Sequence, residues 1–336
     1  MRILAIESTC DETAAAVIEN LGIGFRVVTS VVASSAVIHQ KYGGVVPEVA
    51  AREQVKSIIP VINEALSNIS LDSIEAIAVS YGPGLMGSLL VGTETAKVLA
   101  WAWKKPLIRV NHMAAHVAAN WIVTDESGKV PFFPAVGLVV SGGHTDLILL
   151  RDNKNWEWIG GTRDDAAGEA FDKAARILGL PYPGGPSIQK AIEEIGNDSE
   201  NRFKLPRPMI HEQTLGMSFS GLKAALNKLV TQINPNDTEV KLLAKEFNDA
   251  VVDVLVNKTL SAKEKYNVKS VLVAGGVAAN TSLREKLKQV IPDGQLFIPE
   301  MKYCGDNAAM VGAAAIMSPN IIEPELLKPN PGLTTV

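Results

Sequence analysis

Short apolar runs separated by small polar turns alternate with longer stretches whose apolar positions recur every three to four residues. "RILAIES" (2–8) is an apolar run of strand length that ends in polar residues. "CDETAAAVIE" (10–19) and "FRVVTSVVAS" (25–34) follow it, so the pattern predicts three strands joined by tight turns, an antiparallel start. In 47–69, Val49, Ile58, Ile59, Ile62 and Leu66 lie on one helical stripe, and Pro47 stands where a helix can begin. A strand into a glycine turn (74–84), a helix (85–103), a strand (106–112) and a histidine-bearing helix complete the first half. The order then restarts. Residues 134–152 read as strand, turn, strand, "WEWIGGT" as a third strand, and 166–180 as a helix. After the turn-rich "PYPGGP" come a helix over 239–266, a strand, glycine turn and helix over 270–290, a strand in "GQLFIP", and a last helix over 306–318.

Both halves thus read as three strands, helix, strand with a glycine turn, helix, strand, helix. That α/β order resembles the duplicated RNase H-like superfold of actin, Hsp70 and the sugar kinases, whose two lobes flank a central nucleotide cleft. The expected division is an N-terminal lobe over 1–130, with the helix of 306–320 packing back on it. A C-terminal lobe would cover 131–305, with an insertion around 181–235. No G-x-G-x-x-G follows the first strand and no Walker A sequence occurs, which argues against a Rossmann dehydrogenase and a P-loop NTPase.

Composition changes this picture little. The 336 residues are 47% hydrophobic and 20% charged, and the length suits two domains. A net charge of −4 means that a nucleic-acid partner would need a local basic patch or a helper protein. Two distant cysteines, Cys10 and Cys304, fit a reducing compartment. The N-terminus lacks a signal-peptide core, and Glu94 and Lys97 interrupt the most apolar helix. A cytoplasmic protein with no membrane partner is expected.

The chemistry-bearing residues gather at turns. "ESTCDET", "SYGPGLMGS", "VSGGHT" and "AGGVAAN" each put small residues at a strand end, where backbone N–H groups can meet phosphate oxygens. Asp11 and Glu12 in the first turn could orient a reacting group or could simply make a polar turn. In "GEAFDKAARILG", Glu169–Lys173 and Asp172–Arg176 are i,i+4 ion pairs that account for these charges as helix stabilisers, and only "DDAAGEAFDK" as a whole, with a glycine inside a helix start, hints at a functional surface. His112 and His116, four apart on a helix, face the same way and can hold one metal, or can be an ordinary polar pair. Met113 stands where the H-E-x-x-H peptidases carry their general base. Asp306 in "CGDNAAM" is a third ligand or the cap of the last helix. Two nitrogens and a carboxylate would suit Fe(II) or Zn with open positions.

Taken in order, "STCDET", "HQKYGGVVPEVAAREQ", "YGPGLMGSLLVG", "NHMAAH", "LVVSGGHTDL", "DDAAGEAFDKAARILGLPYPGGP", "MSFSGLKAAL", "VAGGVAAN" and "CGDNAAMVG" resemble the TsaD family, bacterial branch, from residue 1 to about 320. The resemblance implies a tRNA-modifying acyltransferase. It would move a threonylcarbamoyl group from threonylcarbamoyl-AMP to N6 of adenosine 37 in tRNAs reading codons that begin with A. It assigns His112, His116 and Asp306 to one divalent metal, Fe(II) by preference or Zn. It assigns Val139, Val140, Ser141, Gly142, Gly143, Asp172, Gly185 and Asn280 to the adenylate pocket, and Asp11 and Glu12 to a turn needed for activity. Val139 stands where archaeal and eukaryotic relatives offer the metal a tyrosine. Implied partners are tRNA, a TsaB-like paralogue and a TsaE-like ATPase. Arg202, Lys204, Arg207 and Lys223 are the candidate tRNA phosphate contacts. The competing expectations are a metalloprotease, a small-molecule kinase of the same superfold, and a non-catalytic ATP-binding subunit of a complex.

Overall fold

The computed structural model describes residues 1–123, 128–196 and 201–335. The chain forms two compact units. One comprises Met1–Pro131 with Pro299–Val336, the other Phe132–Ile298.

The first unit starts with β1 (Arg2–Glu7), β2 (Glu12–Asn20) and β3 (Phe25–Ser34), an antiparallel meander. A short helix α1 (Ala36–Gln40) leads to α2 (Pro47–Ala65), which opens on Pro47 as the sequence suggests but stops at Ala65. Then come β4 (Ala76–Gly82), α3 (Met86–Trp103), β5 (Leu107–Asn111) and α4 (His112–Ala118). β4 and β5 add in parallel to β1.

The second unit repeats the plan. β6 (Ala135–Val140), β7 (Thr145–Leu150) and β8 (Trp156–Gly161) form a second antiparallel meander. Helices α5 (Ala167–Ile177), α6 (Gly184–Ile195), α7 (Ser220–Ile233) and α8 (Asp237–Tyr266) follow. β9 (Ser270–Ala274) joins β6 in parallel, and α9 (Thr281–Val290) leads to a two-residue β10 (Leu296–Phe297) where a longer strand was expected. The chain returns to the first unit with α10 (Ala308–Met317) and β11 (Ile321–Ile322).

The sheet orders show the duplication. The first is β11-β5-β4-β1-β2-β3 and the second β10-β9-β6-β7-β8. Without the edge strand β11, both read fifth, fourth, first, second, third, the order of the RNase H-like fold, so the duplicated two-lobed α/β class is the observed one.

Burial explains the sequence pattern. β1 and β2 are buried on both faces, because α2 packs on one side of the sheet and α10 on the other, so their apolar runs are continuous rather than alternating. A Cβ on Gly312 of α10 would collide with Ile18 of β2; the helix lies against the sheet because that position has none. In both sheets the parallel strands end together, β1, β4 and β5 in one and β6 and β9 in the other. Ligands of α/β sheets bind beyond such carboxyl ends.

Candidate metal centre

α4 starts as soon as β5 ends. Asn111 is its N-cap, its side-chain oxygen accepting from the backbone N–H of Met113 and Ala114 at 2.9 and 3.4 Å. The i,i+4 spacing places the His112 and His116 rings 4.6 Å apart between centroids, edge to face. Asp306 comes from the far end of the chain. Its Oδ1 lies 3.2 Å from His116 Nε2 and 3.6 Å from His112 Nε2. Asp306 does not cap the last helix: that helix begins at Ala308, and Asn307 accepts from Met310 N–H at 3.0 Å. Asp306 is therefore left to the histidines.

Residues behind His112 fix which nitrogen it presents. Glu7, fully buried at the end of β1, lies 3.0 Å from His112 Nδ1. Its two oxygens also accept from Thr9 N–H at 2.7 Å and Ser80 Oγ at 2.6 Å. With Nδ1 committed to Glu7, Nε2 faces Asp306. His116 is 1% exposed; its Nδ1 has no hydrogen-bond partner, and its Nε2 has none beyond the 3.2 Å approach to Asp306. A buried imidazole so sparsely satisfied is costly in the protein alone. A cation would satisfy it: donors around one ion at about 2.1 Å lie roughly 3–4 Å apart, the separations seen here. All three donor atoms fall within 4.8 Å of one another, and among the described residues this is the one such group of His, Cys, Asp and Glu.

The local field is strong. Burial works against the charged form of His112, but Glu7 and Asp306 outweigh it and raise its pKa to about 9. Burial would lift Asp306, yet the two histidines hold it down to about 2. Glu7 also stays below the usual carboxylate range, since His112 overcomes its desolvation. Glu12 moves the other way, to about 9, through burial and the charges of Asp306 and Asp11. A cation beside Asp306 would reverse that repulsion.

The turn carrying Asp11 and Glu12 is clamped by residues that sequence reasoning missed. Gln54 of α2, 1% exposed, points its amide nitrogen at the carbonyls of Ser8, Cys10 and Glu12 at 3.3, 3.0 and 2.9 Å. Ser88 Oγ donates to the Cys10 carbonyl at 2.9 Å. A glutamine at a helical position whose other apolar neighbours face the core was the available signal.

The second unit holds the expected adenylate residues. Val139 and Val140 are fully buried in β6, so their side chains belong to the core; Val139 also pairs with β7 and β9 on either side. The open positions are Gly142 and Gly143, whose absent side chains would meet nothing within 4 Å. Ser141 shapes this turn, with its N–H donating to the His144 carbonyl and its Oγ accepting from His144 N–H. Gly275 holds φ +92, and a Cβ there would collide with the Val140 carbonyl, so the turn after β9 touches the end of β6. Asp172 accepts from Gly184 N–H at 2.7 Å and tethers the start of α6, next to the open Gly185. Burial raises the Asp172 pKa. Asn280 caps α9 by accepting from Leu283 N–H, and its amide nitrogen donates to Asn248.

The proposed basic patch is largely neutralised. Arg207 pairs with Glu246 and with Asp253 at 3.0 Å, Arg202 with Glu239, and Lys223 with Asp165 at 2.9 Å. Lys204 is exposed. Among the described residues no helix is long and apolar enough to cross a membrane.

Comparison with known proteins agrees with this architecture. Residues 26–313 match the family described as TsaD, tRNA N6-adenosine threonylcarbamoyltransferase. A curated protein of that name from Listeria monocytogenes is 48% identical over 329 residues, covering 94% of this chain and 91% of the relative. One from Dehalococcoides mccartyi is 50% identical over 317 residues, covering 93% and 92%. The crystal structure of full-length HypF in its phosphate- and nucleotide-bound form shares the fold, with a TM-score of 0.57 and 13% identity over 94% of this chain and 46% of HypF. With its matching order of strands and near-complete coverage by relatives at about half identity, this chain belongs to the TsaD family of tRNA N6-adenosine threonylcarbamoyltransferases.

Proposed function

We propose that this protein transfers the threonylcarbamoyl group of threonylcarbamoyl-AMP to N6 of adenosine 37 in tRNAs reading codons that begin with A. One divalent metal, Fe(II) by preference and Zn(II) as the alternative, belongs on His112, His116 and Asp306. The observation that carries this reading is the buried His116 imidazole, its Nε2 3.2 Å from Asp306 Oδ1 and its Nδ1 without a hydrogen-bond partner, in a chain of this family.

The donor is a mixed carbamic–phosphoric anhydride. The N6 nitrogen bonds to the carbamoyl carbon, the bond from that carbon to the phosphate oxygen breaks, AMP leaves with the electron pair, and N6 gives up one proton. A cation held by His112, His116 and Asp306 would supply Lewis-acid polarisation of the donor. The protein's part is position. Glu7 orients His112 so that Nε2 is the free donor. Backbone N–H groups at Gly142 and Gly143, with Asp172, Gly185 and Asn280, hold the adenylate; Val139 and Val140 form the floor beneath that turn. Asp11 and Glu12, in the turn that Gln54 clamps, orient the weakly nucleophilic amine, and Glu12, ionised where a cation offsets the charge of Asp306, accepts its proton. Because Arg202, Arg207 and Lys223 are already paired with carboxylates, tRNA binding draws on Lys204 and on help from a TsaB-like paralogue and a TsaE-like ATPase. The site of action is the cytoplasm.

The test is incubation with threonylcarbamoyl-AMP and unmodified tRNA, with and without those partners, followed by nucleoside mass analysis. The modified nucleoside should form, and His116→Ala should reduce it at least a hundredfold while the fold persists. Absence of product from metal-loaded protein with both partners present would defeat the assignment. Peptide cleavage by the same preparation would favour the protease reading instead.

A further inference from the structure

The segment after α10 lies outside the stretch that matches the family, yet it runs to the metal-binding helix. It first pairs with β5 as the antiparallel β11, Ile321 opposite Ile108 and Ile322 opposite Leu107. Leu327 is then fully buried in the core of the first unit. Beyond it the backbone crosses the carboxyl ends of β4 and β5. Asn330 N–H donates to the Tyr81 carbonyl at 2.7 Å, and Gly84 N–H donates to the Pro331 carbonyl at 3.3 Å. The approach is close because residue 82 is glycine: a Cβ there would collide with the Asn330 carbonyl. Gly82 is in turn the register partner of Asn111. The segment ends against that residue, where Asn111 Nδ2 donates to the Thr334 carbonyl at 2.7 Å, and Thr335 is buried.

Asn111 thus does two jobs with two atoms. Its oxygen caps α4, and its nitrogen is held by the C-terminal backbone. The residue after it is His112. We propose that residues 330–335 form a strap that positions α4 through the Asn111 side chain, making Asn111 and the strap positioning elements of the metal site. A planar amide bonded at both ends cannot rotate without breaking one of its bonds, so the strap fixes the first turn of a seven-residue helix too short to hold its own direction. The idea rests on the metal reading of His112, His116 and Asp306.

The experiment measures Co(II) and Zn(II) affinity by competition with a chromophoric chelator, together with the visible Co(II) spectrum, on the full chain and two variants. Deleting residues 330–336 removes the strap. Asn111→Ser keeps an oxygen that can cap the helix but has no donor that reaches Thr334. Each change should weaken metal binding about tenfold, as loss of a group that orients a ligand does, and shift the Co(II) bands. Combined, they should do no more than either alone, since both cut the same link. Asn111→Ser in the full chain carries the test by itself if the truncated protein fails to fold. Unchanged affinity and spectrum in Asn111→Ser, or losses that multiply in the combination, would overturn the strap. Failure of the unaltered protein to bind either cation would instead overturn the metal reading beneath it.

Discussion

Glu7 decides which nitrogen His112 offers to a cation. Its carboxylate spends one oxygen on Thr9 N–H and the other on Ser80 Oγ and His112 Nδ1, so it is both held and holding. Glu7→Gln keeps the size and removes the charge. Metal affinity should fall ten- to a hundredfold by chelator competition, with little change in secondary structure; unaltered affinity would show that helix geometry alone orients the ring. Gln54 works similarly on the neighbouring turn. Gln54→Leu leaves the Ser8, Cys10 and Glu12 carbonyls without their shared donor, and urea unfolding should show a loss of about 1–3 kcal/mol. The two histidines were legible in the sequence as a candidate pair, because side chains a helical turn apart are a local signal; that Asp306 joins them was not, since only the fold brings residue 306 to within 3.2 Å of His116. Glu7 was not: its partners Ser80 and His112 lie 73 and 105 residues away, and a glutamate at a strand end looks like any strand end.

Elements were legible where their determinants are local. Pro47 marks the start of α2, and the alternation of small turns with apolar runs marks the strands of both meanders. α8 begins at Asp237, two residues before the apolar spacing suggests, because its start is set by a capping box: Asn236 accepts from Glu239 N–H at 3.0 Å, and the Glu239 side chain accepts from Asn236 N–H at 2.9 Å. The aspartates of "DDAAGEAFDK" show the opposite case, a motif whose meaning is tertiary. Asp164 accepts from Ser218 Oγ, Ser220 Oγ and the N–H groups of Phe219 and Ser220, at 2.6–3.2 Å, and so ties the loop before α5 to the start of α7. Burial opposes its ionisation, but these four donors outweigh it and bring the pKa down to about 2. A depressed carboxyl stabilises the fold above its unfolded pKa of about 4, and that contribution is lost as pH falls through about 2. Asp164→Asn should therefore lower stability at pH 7 by about 1 kcal/mol, after discounting for its exposure. It should also flatten the fall in melting temperature between about pH 4 and pH 2; an unchanged acid slope would place that sensitivity in other carboxylates.

At the scale of the molecule, the two units stand differently in the chain. The second is one continuous segment, Phe132–Ile298, whereas the first needs both Met1–Pro131 and Pro299–Val336. What the late segment supplies is a core layer. Every residue of α10 from Ala308 to Ala315 is buried, and the helix covers the face of the first sheet opposite α2. The same return brings in Asp306, so one late crossing both completes the fold of the first unit and supplies the third side chain of the candidate metal site. Without it, the inward faces of β1 and β2 would meet water, with Ala5 and Ile18 losing the close contact that Gly312 permits. A fragment of residues 1–131 should accordingly fail to melt cooperatively and show poorly dispersed amide resonances. A fragment of residues 132–298 has its whole sheet and its covering helices and should give a cooperative transition. Mixing the first fragment with a peptide of residues 299–336 should restore both a cooperative melt and metal binding, because α10 and Asp306 arrive together. A folded, monomeric 1–131 fragment would show that α10 is dispensable packing, and the link between completing the core and completing the metal set would then fail.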